Sequence, residues 1–193
     1  CIAIVGESGC GKSTLSQIIQ KFYTHTSGEI LVNKEIPLKQ IITKDWRNII
    51  GIIPQEVTIF PNTVFDNIVM GEEDTLQNVD AFITEYGFED FIQSLPKGYA
   101  TMLGKGGINL SKGQKQVLAL IRVLYKKPQL LVLDEFTATM DKKTEQFVFE
   151  LLKQLKSKIA IIFISDHLHY LKQIADEIYV IQEGETKVHG NHK

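Results

Sequence analysis

The strongest constraint on this chain is a glycine-rich stretch, GESGCGKST, at Gly6–Thr14. It follows the apolar run Ile2–Val5 and precedes a helical pattern at Lys12–Phe22, the setting in which G-x-x-x-x-G-K-[ST] forms a phosphate loop. Glycines let backbone N–H groups converge on phosphate oxygens, and the following helix points its positive end there. The pattern predicts that Lys12 reaches the β- and γ-phosphates of a nucleotide and that Ser13 ligates Mg²⁺. The alternative, a glycine-rich turn without a ligand, fits this strand–helix setting less well.

Short runs rich in β-branched residues recur along the chain, and several are apolar throughout. Such runs are typical of strands buried on both faces of a parallel sheet. The predicted strands are Ile2–Val5, Glu29–Val32, Asn48–Ile53, Leu130–Leu133, Ile159–Ile164 and Ile178–Ile181. Helical patterns alternate with them, which predicts an α/β core with a mostly parallel sheet flanked by helices.

The middle of the chain differs, because helical patterns replace strand patterns there. The predicted helices are Val64–Met70, Leu76–Tyr86, Glu89–Leu95 and Lys112–Lys126. Prolines at positions 54, 61 and 128 suit the boundaries of such a region. We therefore predict a core of residues 1–59 and 128–193, which includes a helix at Asp141–Lys156, and an inserted helical subdomain of residues 60–127.

Composition narrows the class of protein. Of the 193 residues, 44% are hydrophobic and 23% charged, as in ordinary globular domains, and the net charge of -2 gives no argument for nucleic-acid binding. Two cysteines make no disulfide framework, which favours a reducing compartment. Apolar runs fall short of the roughly 20 residues that span a bilayer, so we expect a soluble domain. Because the chain opens inside a predicted strand, we expect its beginning to lie elsewhere.

Two acidic residues end the apolar strand LLVLDE, at Leu130–Glu135. A carboxylate at the end of a buried strand beside a phosphate loop is placed to hold Mg²⁺, which predicts that role for Asp134. The next residue, Glu135, is predicted to accept a proton from an attacking water. The alternative is a polar strand end that merely faces solvent.

A second candidate anion site is LSKGQ, at Leu110–Gln114, which we call the signature segment. It lies at the start of the predicted helix Lys112–Lys126. Ser111 has the position of an N-cap, and Gly113 permits a close backbone approach. The helix start therefore points partial positive charge outward. The alternative is a cap that only begins a helix.

These motifs, with IIPQ, TVFDNI, TATMD and SDHL, stand in the order in which they occur in one family. Over its whole length the chain resembles the nucleotide-binding domain of an ATP-binding cassette (ABC) transporter, most closely the exporter type. The resemblance implies a P-loop NTPase (RecA-like) core. It implies catalytic roles for Glu135, for the switch histidine His167 and for the Q-loop glutamine Gln55, and Mg²⁺ ligation by Ser13, Gln55 and Asp134. The nucleotide contacts that it implies are Gly6, Glu7, Ser8, Gly9, Cys10, Gly11, Lys12, Ser13, Thr14, Ser111, Gly113 and Gln114.

The resemblance also implies partners. In this family two such domains pack head to tail, and the signature segment of one completes the ATP site of the other. We therefore expect an ATP-dependent dimer, most simply a homodimer, and a transmembrane domain upstream in the same polypeptide. We expect the domain at the cytoplasmic face of the cell (inner) membrane, with no nucleic-acid partner.

Several alternatives remain open at this point. Lys112 occupies a position where the family often has glycine, and its ammonium either attracts phosphate or points to solvent. His169 is a second candidate for the switch histidine, and Cys10 is either an inert small residue or a redox-sensitive thiol. As a whole, the chain could instead be a soluble ABC ATPase acting on DNA or ribosomes, or a cassette that binds ATP without hydrolysing it.

Overall fold

The structure, a computed structural model, describes residues 1–136, 139–166 and 171–191. The chain forms two compact units. The first consists of Cys1–Ile52, Pro128–Glu135 and Leu155–Lys193, and the second of Ile53–Lys127 and Phe136–Gln154. These units describe packing alone. The predicted division into a core (1–59 and 128–193) and an inserted subdomain (60–127) stays a prediction.

Strands and helices alternate along the described chain. The strands are β1 (Ile2–Gly6), β2 (Leu31–Val32), β3 (Ile36–Pro37), β4 (Ile50–Ile53), β5 (Leu130–Asp134), β6 (Ala160–Ser165), β7 (Glu177–Gln182) and β8 (Glu185–Asn191). The α-helices are α1 (Lys12–Ile19), α2 (Thr43–Ile49), α3 (Val64–Val69), α4 (Leu76–Tyr86), α5 (Glu89–Gln93), α6 (Lys112–Tyr125) and α7 (Lys142–Leu155). Short 3₁₀ helices occupy Leu38–Gln40, Gly98–Ala100 and Leu171–Gln173.

The main sheet has six strands in the order β4-β5-β6-β1-β7-β8. The pairs β5–β6, β6–β1 and β1–β7 are parallel, and β7–β8 is antiparallel. Its central strands are apolar on both faces. On one face Ile4, Val132 and Ile164 are buried together and Leu15 of α1 packs against them, and on the other Ala3, Leu133 and Phe163 are buried. The predicted α/β class with a mostly parallel sheet is therefore confirmed. Since β1, β5 and β6 run in parallel, their carboxyl ends meet at one edge of the sheet.

The predicted strand Glu29–Val32 is wrong in extent and in partner. Only Leu31–Val32 is extended, and it pairs with Ile36–Pro37 in a separate two-stranded antiparallel sheet. The reason is the turn between them, where Asn33 and Lys34 have φ angles of 54° and 64°. Two successive positive φ values form a tight turn, closed by the Glu35 N–H donating to the Val32 carbonyl at 3.2 Å, so the chain reverses over the three residues Asn33–Glu35 and this run folds back on itself instead of joining the main sheet.

The predicted strand Asn48–Ile53 begins two residues too early, because Asn48 and Ile49 end helix α2. Contacts far along the chain hold this helix. Trp46 is 5% exposed, and its Nε1–H donates to the Ile19 carbonyl at 2.6 Å. Arg47 donates to the Gln20 carbonyl at 3.2 Å. Both carbonyls lie at the C-terminal end of α1, where they have no partner within the helix.

The second unit is largely helical. Helix α4 spans the predicted residues, and α3, α5 and α6 each end one or two residues before the predicted end. Arg122 of α6 joins two of these helices by donating to the backbone carbonyl and the side-chain oxygen of Asn67, at 2.9 and 2.7 Å. Asn67 is fully buried, so these bonds satisfy polar atoms that water does not reach. No helix in the described ranges is both long and apolar enough to span a bilayer.

Candidate nucleotide-binding site

The phosphate loop connects β1, which ends at Gly6, to α1, which begins at Lys12. Gly9 and Gly11 have φ angles of 84° and 105°, a left-handed region that side chains with a Cβ rarely adopt. Gly6 is required for a different reason, because a Cβ there would lie 2.4 Å from the Ile181 carbonyl oxygen. The loop thus needs glycine at all three positions, and α1 points its positive N-terminal end at the loop.

Lys12 lies inside this loop rather than in solvent. The residue is 7% exposed, and its ammonium donates to the backbone carbonyls of Gly6 at 2.6 Å and Glu7 at 3.0 Å. The Cys10 sulfur is 4.0 Å from the same nitrogen. The cation is therefore held at the centre of the loop, where a phosphate group would be bound. Ser13 and Thr14, on the first turn of α1, are exposed.

The carboxylate pair lies at the end of β5. Burial raises the pKa of Asp134, and the positive charge of Lys12 opposes that rise. The positive charge of Lys12 also acts to lower the pKa of Glu135. The structure therefore brings Lys12, Asp134 and Glu135 together at one edge of the sheet, although their motifs are more than a hundred residues apart in the sequence.

Glu135 is held by groups that the sequence did not single out. Its own N–H donates to the Ile164 carbonyl at 2.9 Å, and its carboxylate accepts from the Asp166 N–H at 3.0 Å and from the Ser165 hydroxyl at 3.5 Å. Its φ of 49° is in the left-handed region. Burial raises the pKa of Glu135, and the neighbouring Asp166 raises it further. A carboxylate with a raised pKa is a stronger base, which suits proton abstraction.

Ser165 and Asp166 could have been found from the sequence. They directly follow the predicted strand Ile159–Ile164, and the carboxyl ends of parallel strands in α/β sheets are where ligands bind. The switch histidine candidates, His167 and His169, lie outside the described residues.

A cavity of about 480 Å³ lies beside the phosphate loop. One side is formed by the loop, and the other by the end of β7, the turn after it and β8. Its lining residues are Glu7, Ser8, Gly9, Cys10, Gln182, Glu183 and Lys187. The volume is in the range of ligand pockets, and the lining is largely polar. The last three of these residues were not predicted, because they lie beyond the predicted strand Ile178–Ile181 and no motif includes them.

The signature segment belongs to the second unit. Ser111 is the N-cap of α6: its hydroxyl accepts from the Gln114 N–H at 3.2 Å, and the Gln114 side chain accepts from the Ser111 N–H at 2.9 Å. This reciprocal pair is a capping box. Ser111 and Lys112 are exposed. Gln55 is also exposed and also belongs to the second unit, so the first unit by itself unites the phosphate loop with Asp134 and Glu135 only.

Comparison with known proteins gives a consistent result. Residues 1–138 match the family model described as "ABC transporter". The chain is 39% identical, over all of its length, to "Multidrug resistance protein 1" of Entamoeba histolytica, of which it covers 15%. It is 36% identical over 99% of its length to a "Putative export ATP-binding/permease protein" of Rickettsia bellii, of which it covers 33%.

A solved structure agrees with these relatives. It is the "Structure of a bacterial Atm1-family ABC exporter with ATP bound", with a TM-score of 0.89 and 34% sequence identity. The match covers 99% of this chain and 33% of that one, so the chain spans a third or less of the proteins that it resembles. The P-loop NTPase fold is thereby confirmed, and the chain belongs to the ABC transporter family, as a nucleotide-binding domain of the exporter type.

Proposed function

We propose that this chain is the ATP-hydrolysing motor domain of a membrane exporter. The supporting observation is the grouping of Lys12, Asp134 and Glu135 at one edge of the sheet, with the Lys12 ammonium inside the glycine loop. A cation, a half-buried carboxylate and a carboxylate with a raised pKa are groups that phosphoryl transfer to water uses. The residues of Gly6–Thr14 would hold the triphosphate through their N–H groups and the Lys12 ammonium.

Two residues of the first unit fit a magnesium ion. Ser13 and Asp134 would hold it, since hydroxyl and carboxylate oxygens are donors that Mg²⁺ accepts, and the family resemblance adds the amide oxygen of Gln55 as a predicted third ligand. Asp134 supports this assignment, because burial raises its pKa and a bound cation would stabilise its charged form. When bound, the ion neutralises charge on the phosphate oxygens.

Glu135 then acts as the general base. A water oxygen attacks the γ-phosphorus while the bond from that phosphorus to the β–γ bridging oxygen breaks. The water proton passes to the Glu135 carboxylate, and the products are ADP and inorganic phosphate. The Asp166 N–H and the Ser165 hydroxyl hold this carboxylate on two sides, so its oxygens are oriented before the reaction. His167 would hold the γ-phosphate, and Gln55 would report its presence to the membrane domain.

Two copies would pack head to tail, with the signature segment of one chain against the γ-phosphate held by the other. Support comes from the exposure of Ser111 and from the 14-residue helix α6 behind it, whose N-terminal end is a favourable place for an anion.

The partner in transport would be a transmembrane domain upstream in the same polypeptide. This proposal draws support from exporter relatives that are three to seven times longer than the chain. The motor domain would act at the cytoplasmic face of the membrane.

Mixing two inactive variants tests this arrangement. Lys12→Ala removes the phosphate-loop cation, and Ser111→Arg blocks the signature segment, so each homodimer has two defective sites. In a mixed dimer one site collects both changes and the other neither. Random exchange makes about half of the dimers mixed, so roughly a quarter of all sites are intact. We expect ATPase activity to return when full-length subunits of the two variants exchange.

The result that would overturn the proposal is normal hydrolysis by the Ser111→Arg homodimer, since the signature segment would then play no part. Absence of rescue, in a mixture whose subunits demonstrably exchange, would mean that each chain's signature serves its own loop.

A further inference from the structure

A three-residue segment, Thr139–Asp141, lies against the start of the signature helix α6 within the second unit. The Thr139 hydroxyl donates to the Gln116 side-chain oxygen at 3.0 Å. Gln116 is on the second turn of α6 and is 4% exposed, whereas Thr139 is exposed. The Thr139 hydroxyl thus supplies a hydrogen bond to a buried oxygen of Gln116. Without this donor, that oxygen would lose a hydrogen bond that water cannot easily replace.

Backbone contact accompanies this hydrogen bond. A Cβ at Gly113 would lie 3.1 Å from the Thr139 carbonyl oxygen and 3.3 Å from the Met140 Cα. The first turn of α6 therefore lies directly on the backbone of the segment. From the sequence, the expected reason for glycine at position 113 is close approach by a phosphate bound to the other chain. The structure adds a contact within the same chain that also favours glycine.

The other end of the segment is fixed to α7. The Asp141 carboxylate accepts from the N–H groups of Lys143 and Thr144 at 3.1 and 3.0 Å, and from the Thr144 hydroxyl at 2.6 Å. Asp141 thus caps α7, as an aspartate at a helix start is expected to do. The segment is anchored at both ends, to the signature helix by Thr139 and to α7 by Asp141.

We propose that Thr139 and Gln116 are a positioning pair that sets the placement of the signature segment toward the ATP of the second chain. The inference rests on the proposed function and goes further, because it names a link within one chain. Thr139 follows Glu135 by four residues, so the segment that supports this chain's signature is continuous with the end of the strand that carries its own general base.

A matched pair of variants isolates the hydroxyl. Thr139→Val removes the donor and keeps the shape, and Thr139→Ser keeps the donor. One neutral hydrogen bond corresponds to roughly a 2- to 10-fold effect, so we expect kcat/KM of the full-length protein to fall by about that factor in the valine variant. Equilibrium ATP binding should be unchanged, because Lys12 and its loop are intact, and serine should restore the rate. Because the valine variant leaves a buried acceptor on Gln116 without this donor, its melting temperature should fall by about 2–4 °C, and serine should restore it.

The position of the change in a mixed dimer provides the decisive readout. In the mixture of Lys12→Ala and Ser111→Arg chains, the intact site takes its signature from the Lys12→Ala chain and its loop from the other. Thr139→Val should lower the rescued activity about 2- to 10-fold when it is placed on the Lys12→Ala chain, and much less on the Ser111→Arg chain. A purely structural role would not follow this asymmetry.

The outcomes are distinguishable. Equal effects on the two chains, a larger effect on the Ser111→Arg chain, or no effect on either would overturn the positioning role while leaving the proposed function in place. Lack of rescue before Thr139 is changed would overturn the proposed head-to-tail arrangement, and the inference with it.

Discussion

The phosphate loop and the signature segment are both glycine-containing helix starts, but their chemistry is arranged in opposite ways. In the loop the functional side chain, Lys12, is buried and bonded to loop carbonyls, and the carboxylates of Asp134 and Glu135 are grouped with it in the same unit. In the signature segment the cap residue Ser111 is exposed, and its hydrogen bonds are made with Gln114 of the same turn.

This difference indicates which chemical groups each region supplies. The first region combines the phosphate loop with Asp134 and Glu135, so the groups proposed for phosphate binding, metal binding and proton transfer lie within one unit. The second region offers an exposed, positively polarised helix end, and its proposed ligand is the phosphate held by another chain. Changes in the first region should therefore act on chemistry and folding, and changes in the second on assembly.

The largest expected effect concerns the base. Glu135→Gln keeps the size of the side chain but removes its ability to take a proton. We expect turnover to fall by roughly 10²- to 10⁴-fold while ATP binding persists, since the loop is untouched. Phosphate release and equilibrium binding by the same variant measure the two quantities. Glu85→Gln, the same chemical change at an exposed position on α4, is the control and should hydrolyse ATP at the parent rate. Near-normal turnover by Glu135→Gln would assign the base elsewhere.

A second prediction compares one glycine from each region. In Gly6→Ala the new Cβ meets the Ile181 carbonyl at 2.4 Å, and neither backbone can move freely inside the sheet, so we expect a loss of about 1–3 kcal/mol in the free energy of unfolding. In Gly113→Ala the contact is 3.1 Å, and alanine favours the helix by up to about 1 kcal/mol, so the net change should be near zero. Denaturant unfolding of both variants tests this, and equal losses would contradict the comparison.

The same two regions show which structural features can be predicted from the sequence. The phosphate loop was predictable because its spacing, its strand and its helix are local features of Ile2–Phe22. The cap of α6 was predictable for the same reason, since Ser111 and Gln114 are three residues apart. Helix α4 has the predicted bounds because its apolar positions repeat at the helical period.

The features that could not be predicted from the sequence depend on contacts between residues that are far apart in the chain. Helix α2 is held by the Trp46 bond to Ile19, across 27 residues, and no local pattern records it. The same is true of the Asp166 N–H that holds Glu135, 31 residues away, and of the Thr139–Gln116 bond across 23 residues. Site geometry is therefore the part that needed the structure. The roles assigned to Gln55 and His167 stay predictions.

The smallest expected effect concerns charge beneath the signature helix. Hydrogen bonds from Thr144, its hydroxyl first and then its N–H, hold the pKa of Asp141 below its ordinary value. Because the folded-state pKa lies below the unfolded one, Asp141 stabilises the fold at neutral pH, and that contribution disappears as the pH falls through the folded-state pKa, below about pH 4. Asp141→Ala should therefore lower the free energy of unfolding slightly at pH 7, and the deficit relative to the parent should shrink on acidification toward pH 3. Asp141→Asn retains an acceptor without the charge, so its own stability deficit should be smaller. Chemical denaturation of the three proteins at pH 7 and pH 3 measures both differences. An alanine deficit that stays the same at the two pH values would show that the cap of α7 does not depend on the charge of Asp141, and that the segment under the signature helix is held by its neutral contacts alone.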